Sequence, residues 1–347
     1  MKKSGKTLRF LPVILLCATQ LYVGRMQAKP VGALTQYSKA ECVMELNSRR
    51  IVYEQNGDIR LPMASTTKIV TCATVLERCA HLDEQIVIPK QAENVEGSSV
   101  YLKAGDSYSV EDLLYGLMLR SGNDCATALA LHFGGSVGGF CAQMNAYAQK
   151  AGALNTCFAN PHGLPNKKHY TTAVDLTAIT CFALQNPTFQ RIVSTLYYQP
   201  RGWKNKNKLL TSFEGAIGVK TGFTKEAGRC LVSAATRGNT TFVCTVLHCP
   251  TMYERSAQLL NDAFSLYENT EIISKGERLK IQTQKGEIEG AVKESYFYPL
   301  LAEEKDYLQI KTRPLSTEEG LLGEEFVGKF EIYLSKRLIF SGNLYKL

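Results

Sequence analysis

The order of its hydrophobic patterns constrains this chain most. Two short alternating runs, Ala40–Leu46 and Arg50–Gln55, read as a β-hairpin turning at Asn47-Ser48, with a further turn at Asn56-Gly57. A long block with helical periodicity follows. It includes Ile69, Val70, Cys72, Val75 and Leu76, then a pattern from Val110 to about Leu131, then Gly139–Ala151 and Thr172–Leu184. Three strand-like runs come next, Ala216–Thr221, Arg229–Thr236 and Thr241–His248, the last two joined by a hairpin signal at Gly238-Asn239. An amphipathic helix over about Tyr253–Tyr267 closes the region. Strands, a helical block, strands and a helix, in that order, predict an α+β domain. Its antiparallel sheet is covered by terminal helices, with a helical subdomain inserted.

From about Glu271 the texture changes to short alternating runs (Leu279–Thr283, Leu308–Ile310, Val327–Leu334, Lys336–Phe340) between turns rich in Gly, Pro and Glu. This predicts a small C-terminal all-β domain. At the other end, Lys2–Arg9 is basic and Phe10–Val23 is apolar but short for a membrane span, the pattern of an export signal with cleavage at Ala28. An uncleaved N-terminal anchor is the alternative. The domain reading is therefore 1–28 signal peptide, 29–269 main domain and 270–347 β-rich domain.

The formal charge is +8, but Lys2, Lys3, Lys6, Arg9 and Arg25 supply more than half of it. The remaining excess is too small to point to nucleic acid. It suits an anionic cell wall. Of eleven cysteines, one lies in the export signal and none follows Cys249. None makes a C-x-x-C or Cys/His ligand spacing, so no metal site is read. Several fall at apolar positions and read as buried free thiols.

The chemistry lies in three short motifs. Ser65-Thr66-Thr67-Lys68 opens the first helical run and places a hydroxyl and an amine on one helix face, with Ser65 at a cap or first-turn position. Ser121-Gly122-Asn123 precedes a helix start. Lys220-Thr221-Gly222 lies on a predicted strand. The motifs start 56 and 99 residues apart, in the order S-x-x-K, S-x-N, K-T-G of penicillin-recognising serine enzymes. Acyl transfer needs a nucleophile, a base, an oxyanion hole and a carboxylate clamp. Ser65 is the expected nucleophile. Lys68 is the expected base, kept neutral by burial and by a second cation, Lys220. Ser121 relays a proton to the leaving amine. Asn123 orients Lys68 and the substrate backbone, and Lys220 with Thr221 binds a terminal carboxylate. Gly222 lets the strand approach closely.

With these motifs, and with Glu96-Gly97-Ser98-Ser99, Asp112-Leu113-Leu114-Tyr115-Gly116, Asn160-Pro161-His162-Gly163-Leu164 and Ala227-Gly228-Arg229-Cys230, the chain resembles the serine-type D-alanyl-D-alanine carboxypeptidase A family of low-molecular-mass penicillin-binding proteins. Gly323 to Tyr333 is similar to that family's C-terminal β domain. The resemblance implies the penicillin-binding/β-lactamase-like transpeptidase fold. It implies an oxyanion hole made by the backbone N–H groups of Ser65 and Phe223, no cofactor, and action outside the cytoplasmic membrane. It also implies peptidoglycan stem peptides as substrates and β-lactams as covalent inhibitors. Family members often attach by a C-terminal amphipathic helix. None is read after the last strand here, and membrane association stays open.

Two other functions compete. A class A β-lactamase shares the motifs but deacylates with a glutamate between the second and third. Here no glutamate falls between Glu111 and Glu214. A non-turnover β-lactam or peptidoglycan sensor would keep the pocket without hydrolysis. Outside the motifs, Asp124 reads as a cap of the following helix, and His162 and His169 as structural. Arg229 reads as either structural or carboxylate-assisting. The Arg201–Lys208 charges read as a solvated face or as the lining of a groove.

Overall fold

The computed structural model describes residues 38–284, 286–315 and 325–347. The proposed signal at 1–28 lies outside the described residues. Strands β1 (Ala40–Glu45) and β2 (Ile51–Gln55) form the expected hairpin. Its turn is held by the buried Glu45 carboxylate, which accepts from the Ser48 backbone N–H (2.7 Å) and hydroxyl (2.6 Å). A 3₁₀ turn, Ala64–Thr67, then leads into α1 (Lys68–Arg78). The short strands β3 (Gln85–Val87) and β4 (Ser107–Ser109) pair beside it.

The apolar run beginning at Val110 is not one helix. It forms α2 (Val110–Tyr115), a π-helical segment at Gly116–Arg120, and then α3 (Asn123–Gly134). The break falls at Ser121, in the left-handed region at φ +67°. Helices α4 (Val137–Lys150), α5 (Ala173–Ala183) and α6 (Pro187–Ser194) follow, capped by Ser136, Thr172 and Asn186. A two-residue hairpin, β5 (Tyr197–Tyr198) with β6 (Trp203–Lys204), and α7 (Leu209–Ser212) precede the remaining strands. These are β7 (Ala216–Thr224), β8 (Gly228–Arg237) and β9 (Thr240–Leu247), closed by α8 (Met252–Leu266).

The central sheet has the order β2-β1-β9-β8-β7 and is antiparallel throughout. The first strand therefore lies against the ninth, from Ala40 opposite Leu247 to Glu45 opposite Phe242. Alternate residues of β1 serve two cores. Cys42 and Met44 pack with the helical block that includes Ile69, Val70 and Leu176. Val43 packs with Phe242, Leu259 and Leu260 under α8. Both faces are covered, so all six residues of β1 are buried. All ten cysteines among the described residues are free thiols, and eight are buried. Burial raises the Cys181 thiol to about 12.

The rest of the chain is β structure. Strand β10 (Glu268–Ile273) pairs with β13 (Tyr296–Leu300). A five-stranded sheet joins β11 (Arg278–Thr283), β12 (Gly286–Val292), β14 (Leu308–Pro314), β15 (Phe326–Leu334) and β16 (Arg337–Tyr345) in the order β11-β12-β16-β15-β14. Ile281, Val292, Phe330, Ile332 and Leu344 form its core. The expected α+β fold with a C-terminal β unit is present.

Arg50 ties the central sheet to this second β region. Its guanidinium meets Glu304 through both nitrogens (2.6 and 2.8 Å) and the Pro299 carbonyl at 2.5 Å. It lies between the rings of Tyr267 and Tyr298, at 5.0 and 5.2 Å. Arg50→Ala leaves a mostly buried carboxylate with no cation. It is expected to cost about 3 kcal/mol. Thermal unfolding of the variant checks this, and an unchanged midpoint would show that the contact contributes nothing.

Candidate active site

The nucleophile turn is wound tightly. Ala64 adopts φ +50°, a costly conformation for a residue with a Cβ. The Met63 carbonyl accepts from the Thr66 hydroxyl (2.6 Å) and the Ala64 carbonyl from the Thr67 hydroxyl (2.8 Å). Ser65 therefore sits inside a 3₁₀ turn, three residues before the α-helix begins at Lys68, rather than at its cap. Near-eclipsed i and i+3 positions bring Lys68 Nζ to 3.0 Å from Ser65 Oγ. Ser65 is partly exposed, whereas Lys68 is completely buried.

Two carbonyl-type oxygens also meet Lys68 Nζ: Asn123 Oδ1 and the His162 backbone carbonyl, both at 2.7 Å. Neither can donate. A neutral amine gives one N–H to each, which leaves its lone pair facing the Ser65 hydroxyl. Once protonated, the ammonium has three donors for the same three oxygens. Burial pushes the Lys68 pKa well below the ordinary lysine value, and the Lys220 ammonium adds to that push.

The Asn160–Asn166 loop supplies the His162 carbonyl. Asn160 Oδ1 accepts from Gly163 N (2.7 Å), and Asn160 Nδ2 donates to the Leu164 carbonyl (3.0 Å). Thr71 donates to the Pro161 carbonyl at 2.6 Å. At Gly163, with φ +92°, a methyl group would lie 1.9 Å from the Ala64 carbonyl oxygen. The imidazoles themselves are structural. The Thr67 hydroxyl donates to Ala64, so it accepts from His169 Nε2 at 2.8 Å, while His169 Nδ1 accepts from Ala159 N at 3.0 Å. This fixes His169 as a neutral ring. Burial, with Lys68 nearby, lowers its pKa to about 4 and that of His162 to about 3.

Asn123 is oriented from its other side. Its Nδ2 donates to the Glu96 carbonyl (2.5 Å) and its backbone N–H to the Ser98 carbonyl (2.7 Å). Gly97 is required at this approach, because a Cβ there would lie 2.7 Å from Asn123 Nδ2. Asp124 stands in the first turn of α3 rather than before it; its Oδ1 accepts from Cys125 N at 2.9 Å, and it also reaches outside the helix. Its carboxylate accepts from the Ser99 hydroxyl (2.6 Å), Val100 N (3.0 Å) and Leu102 N (3.1 Å), fastening the 96–102 loop over the helix start. Ser121 is buried in the turn just before Asn123.

Strand β7 is the edge of the sheet and crosses the nucleophile turn. A Cβ on Gly222 would sit 3.0 Å from Ser65 N and 3.1 Å from Met63 O, so a side chain there would push the strand and the nucleophile turn apart by a few tenths of an ångström. Lys220 is buried and donates to the Thr221 carbonyl at 2.9 Å. Burial, then the Lys206 charge, lowers its pKa to about 7. Thr221 is half-buried. Phe223 projects outward at 63% exposure, with the Arg229 guanidinium 5.8 Å from its ring.

Ser65, Lys68 and Asn123 thus form one bonded cluster roofed by Gly222, with Ser121 and Lys220 on neighbouring segments. Sequence reasoning missed three contributors. The Glu96 and His162 carbonyls are backbone groups with no residue signature, although Gly97 and Gly163 mark both loops. Lys206 lay in a segment left open between a solvated face and a groove, yet its charge reaches both buried lysines.

Comparison with known proteins gives the family of the chain. The D-alanyl-D-alanine carboxypeptidase family profile matches residues 26–251. D-alanyl-D-alanine carboxypeptidase DacF of Bacillus subtilis is 30% identical over 301 residues, covering 82% of this chain and 77% of the relative. The solved Streptomyces K15 DD-transpeptidase is 37% identical with a TM-score of 0.64, covering 68% of this chain and all of the other. Penicillin binding protein 5 from Haemophilus influenzae is 26% identical with a TM-score of 0.75, covering 91% and 98%. The fold agrees with the comparisons, and the chain belongs to the D-alanyl-D-alanine carboxypeptidase family.

Proposed function

We propose that this protein is a serine carboxypeptidase that removes the terminal D-alanine from peptidoglycan stem peptides ending in D-Ala-D-Ala. The observation that carries the reading is the Lys68 amine, with both N–H groups engaged by carbonyl-type oxygens and Ser65 Oγ at 3.0 Å. Ser65 attacks the carbonyl between the two D-alanines as its proton passes to Lys68. The substrate lies extended along the free edge of β7, as an added strand. Its carboxylate meets Lys220 and Thr221, and its oxyanion meets the backbone N–H groups of Ser65 and Phe223. Ser121 passes the proton to the departing amine, so the C–N bond breaks and D-alanine leaves. Water then attacks the Ser65 ester with Lys68 as base again. Incubation with a D-Ala-D-Ala muropeptide should release D-alanine from wild-type protein and none from Ser65→Ala. Equal release from both would end this reading.

No glutamate lies between Glu111 and Glu214 to drive hydrolysis in the class A β-lactamase manner. The aspartates of that interval are occupied: Asp112 by Arg201 and Tyr198, Asp124 by the 99–102 loop, Asp175 by Thr156 and Asn155. β-Lactams should therefore act as long-lived covalent inhibitors. Mass spectrometry of penicillin-treated protein should show a persistent adduct on Ser65. Rapid antibiotic turnover would contradict this.

The two lysines set a pH profile. Lys68 must be neutral to accept a proton, and burial with the Lys220 charge favours that neutral form, so activity is lost on the acid side as Lys68 takes up a proton. Lys220 must be charged to hold the carboxylate, and it loses its proton as pH rises through about 7 in the free enzyme. The kcat/KM profile should therefore fall above about pH 7, while the corresponding limb of kcat lies higher because bound carboxylate favours the ammonium. Both apparent values belong to the lysine pair. Lys220→Arg should flatten the basic limb. A wild-type kcat/KM that is level from pH 7 to 9 would contradict the assignment.

The substrate places this activity outside the cytoplasmic membrane. We read the chain as an export leader at 1–28, a catalytic domain at 29–269 and a β domain at 270–347.

A further inference from the structure

The Ser121 turn is shaped by residues outside all three motifs. The Gly116 carbonyl accepts from both Ser121 N and Gly122 N, the latter at 3.1 Å. This closes the π segment and throws Ser121 into its left-handed conformation. The Trp203 ring lies directly on Gly116. A Cβ there would come within 3.0 Å of the ring and 2.7 Å of Cys125 Sγ.

Trp203 is itself held by a strap that runs along the α2–π segment. Tyr198 stacks on Tyr115 with centroids 3.9 Å apart, and its hydroxyl donates to Asp112 at 2.9 Å. Arg201 donates to the other Asp112 oxygen at 2.6 Å and stands 4.4 Å over the Tyr108 ring. Burial opposes the Asp112 charge, but the Arg201 and Tyr198 hydrogen bonds outweigh it and hold the carboxyl below its usual range. Beyond Trp203, Lys206 N donates to the Leu119 carbonyl at 3.3 Å. The strap is therefore fastened on both sides of Trp203, and Trp203 lies against Gly116, the residue whose carbonyl closes the turn.

We propose that Trp203 is a positioning residue for Ser121, fixing through Gly116 the turn from which Ser121 delivers the proton to the leaving group. The inference rests on the proton-transfer role of Ser121 given above. An indole set against a glycine backbone leaves the π turn one packing solution. Without the ring, Gly116 gains free space on that face and the turn loses the surface that defines it. The nucleophile and the carboxylate clamp lie on other elements and keep their places, and the base keeps its bonds to Ser65 and the His162 carbonyl.

Leaving-group chemistry supplies the test. An amine must be protonated to depart, whereas a lactate leaving group departs with far less help. The experiment compares a peptide ending in D-Ala-D-Ala with its depsipeptide ending in D-Ala-D-lactate. Ser121→Ala should lose kcat on the amide by about 10²-fold or more and on the ester by much less. Trp203→Ala should show the same signature, with roughly 10-fold or greater loss on the amide, less than about threefold on the ester, and KM unchanged for both. Trp203→Phe should restore most of the amide rate. Tyr198→Phe removes one hydroxyl and keeps the stack, so it tests the strap even where Trp203→Ala does not fold. It should show a weaker loss with the same amide selectivity. Equal losses on both substrates, or no loss, in the Trp203 and Tyr198 variants beside an amide-selective Ser121→Ala would overturn the positioning role alone. Loss of equal size on both substrates in Ser121→Ala would instead overturn the proton-transfer reading.

Discussion

Replacing Lys68 by methionine is expected to lower D-alanine release and penicillin labelling of Ser65 by about 10³–10⁴-fold, while the protein stays folded. Methionine fills a similar volume without the lone pair that faces Ser65 Oγ. No other group is bonded to that hydroxyl among the contacts described, and the nearby imidazoles are committed elsewhere. His169 is spanned by Thr67 and Ala159, and His162 accepts from Leu164 N. Lys68→Arg should not rescue the rate. A guanidinium stays protonated at any working pH, and its planar fork does not fit three oxygens converging on one nitrogen. Stopped-flow acylation with a chromogenic β-lactam checks both variants. A Lys68→Met enzyme within tenfold of wild type would place the base elsewhere.

Gly163→Ala should be the most damaging small change outside the motifs. The new methyl group would meet the Ala64 carbonyl oxygen at 1.9 Å, and φ +92° is itself hostile to a side chain. Something must move, and the nearest candidate is the turn that carries Ser65. The strain and clash together are expected to cost about 3 kcal/mol or more, a drop of roughly 6–12 °C in melting temperature. Activity should fall further than stability explains, because the loop that shifts also carries the His162 carbonyl on Lys68 Nζ. Calorimetry with a kcat measurement well below the melting point separates the two effects. A variant of wild-type stability and rate would show that the loop yields without disturbing the nucleophile.

What was legible in the sequence was local. Ser65 with Lys68, Ser121 with Asn123, and Lys220 through Gly222 are short strings whose spacing carries their geometry, and strands β1, β2, β7, β8 and β9 announce themselves by alternation and turn residues. Three kinds of feature stayed hidden. The helical pattern at Val110–Leu131 runs through the break at Ser121, because apolar spacing continues while the backbone turns on contacts from Trp203, more than eighty residues away in sequence. Asp124 has the residue type of a cap and does accept from Cys125 N, but its other partners lie in a loop folded back from residues 99–102. In the C-terminal sheet, Gly286–Val292 carries Glu287 and Glu289 on exposed positions and pairs as a strand through its backbone, with too few apolar residues to be recognised.

The pairing of β1 with β9 also sets a timetable for the chain. Ala40 finds its partner at Leu247 and Glu45 finds Phe242, so the central sheet cannot close until some two hundred further residues have been made. The hairpin β8–β9 forms from neighbours, but the hairpin β1–β2 must wait with its apolar residues uncovered. A polypeptide emerging from the ribosome would thus stay without its finished core through most of its synthesis. The export proposed above requires a chain in that state, and this strand order provides it.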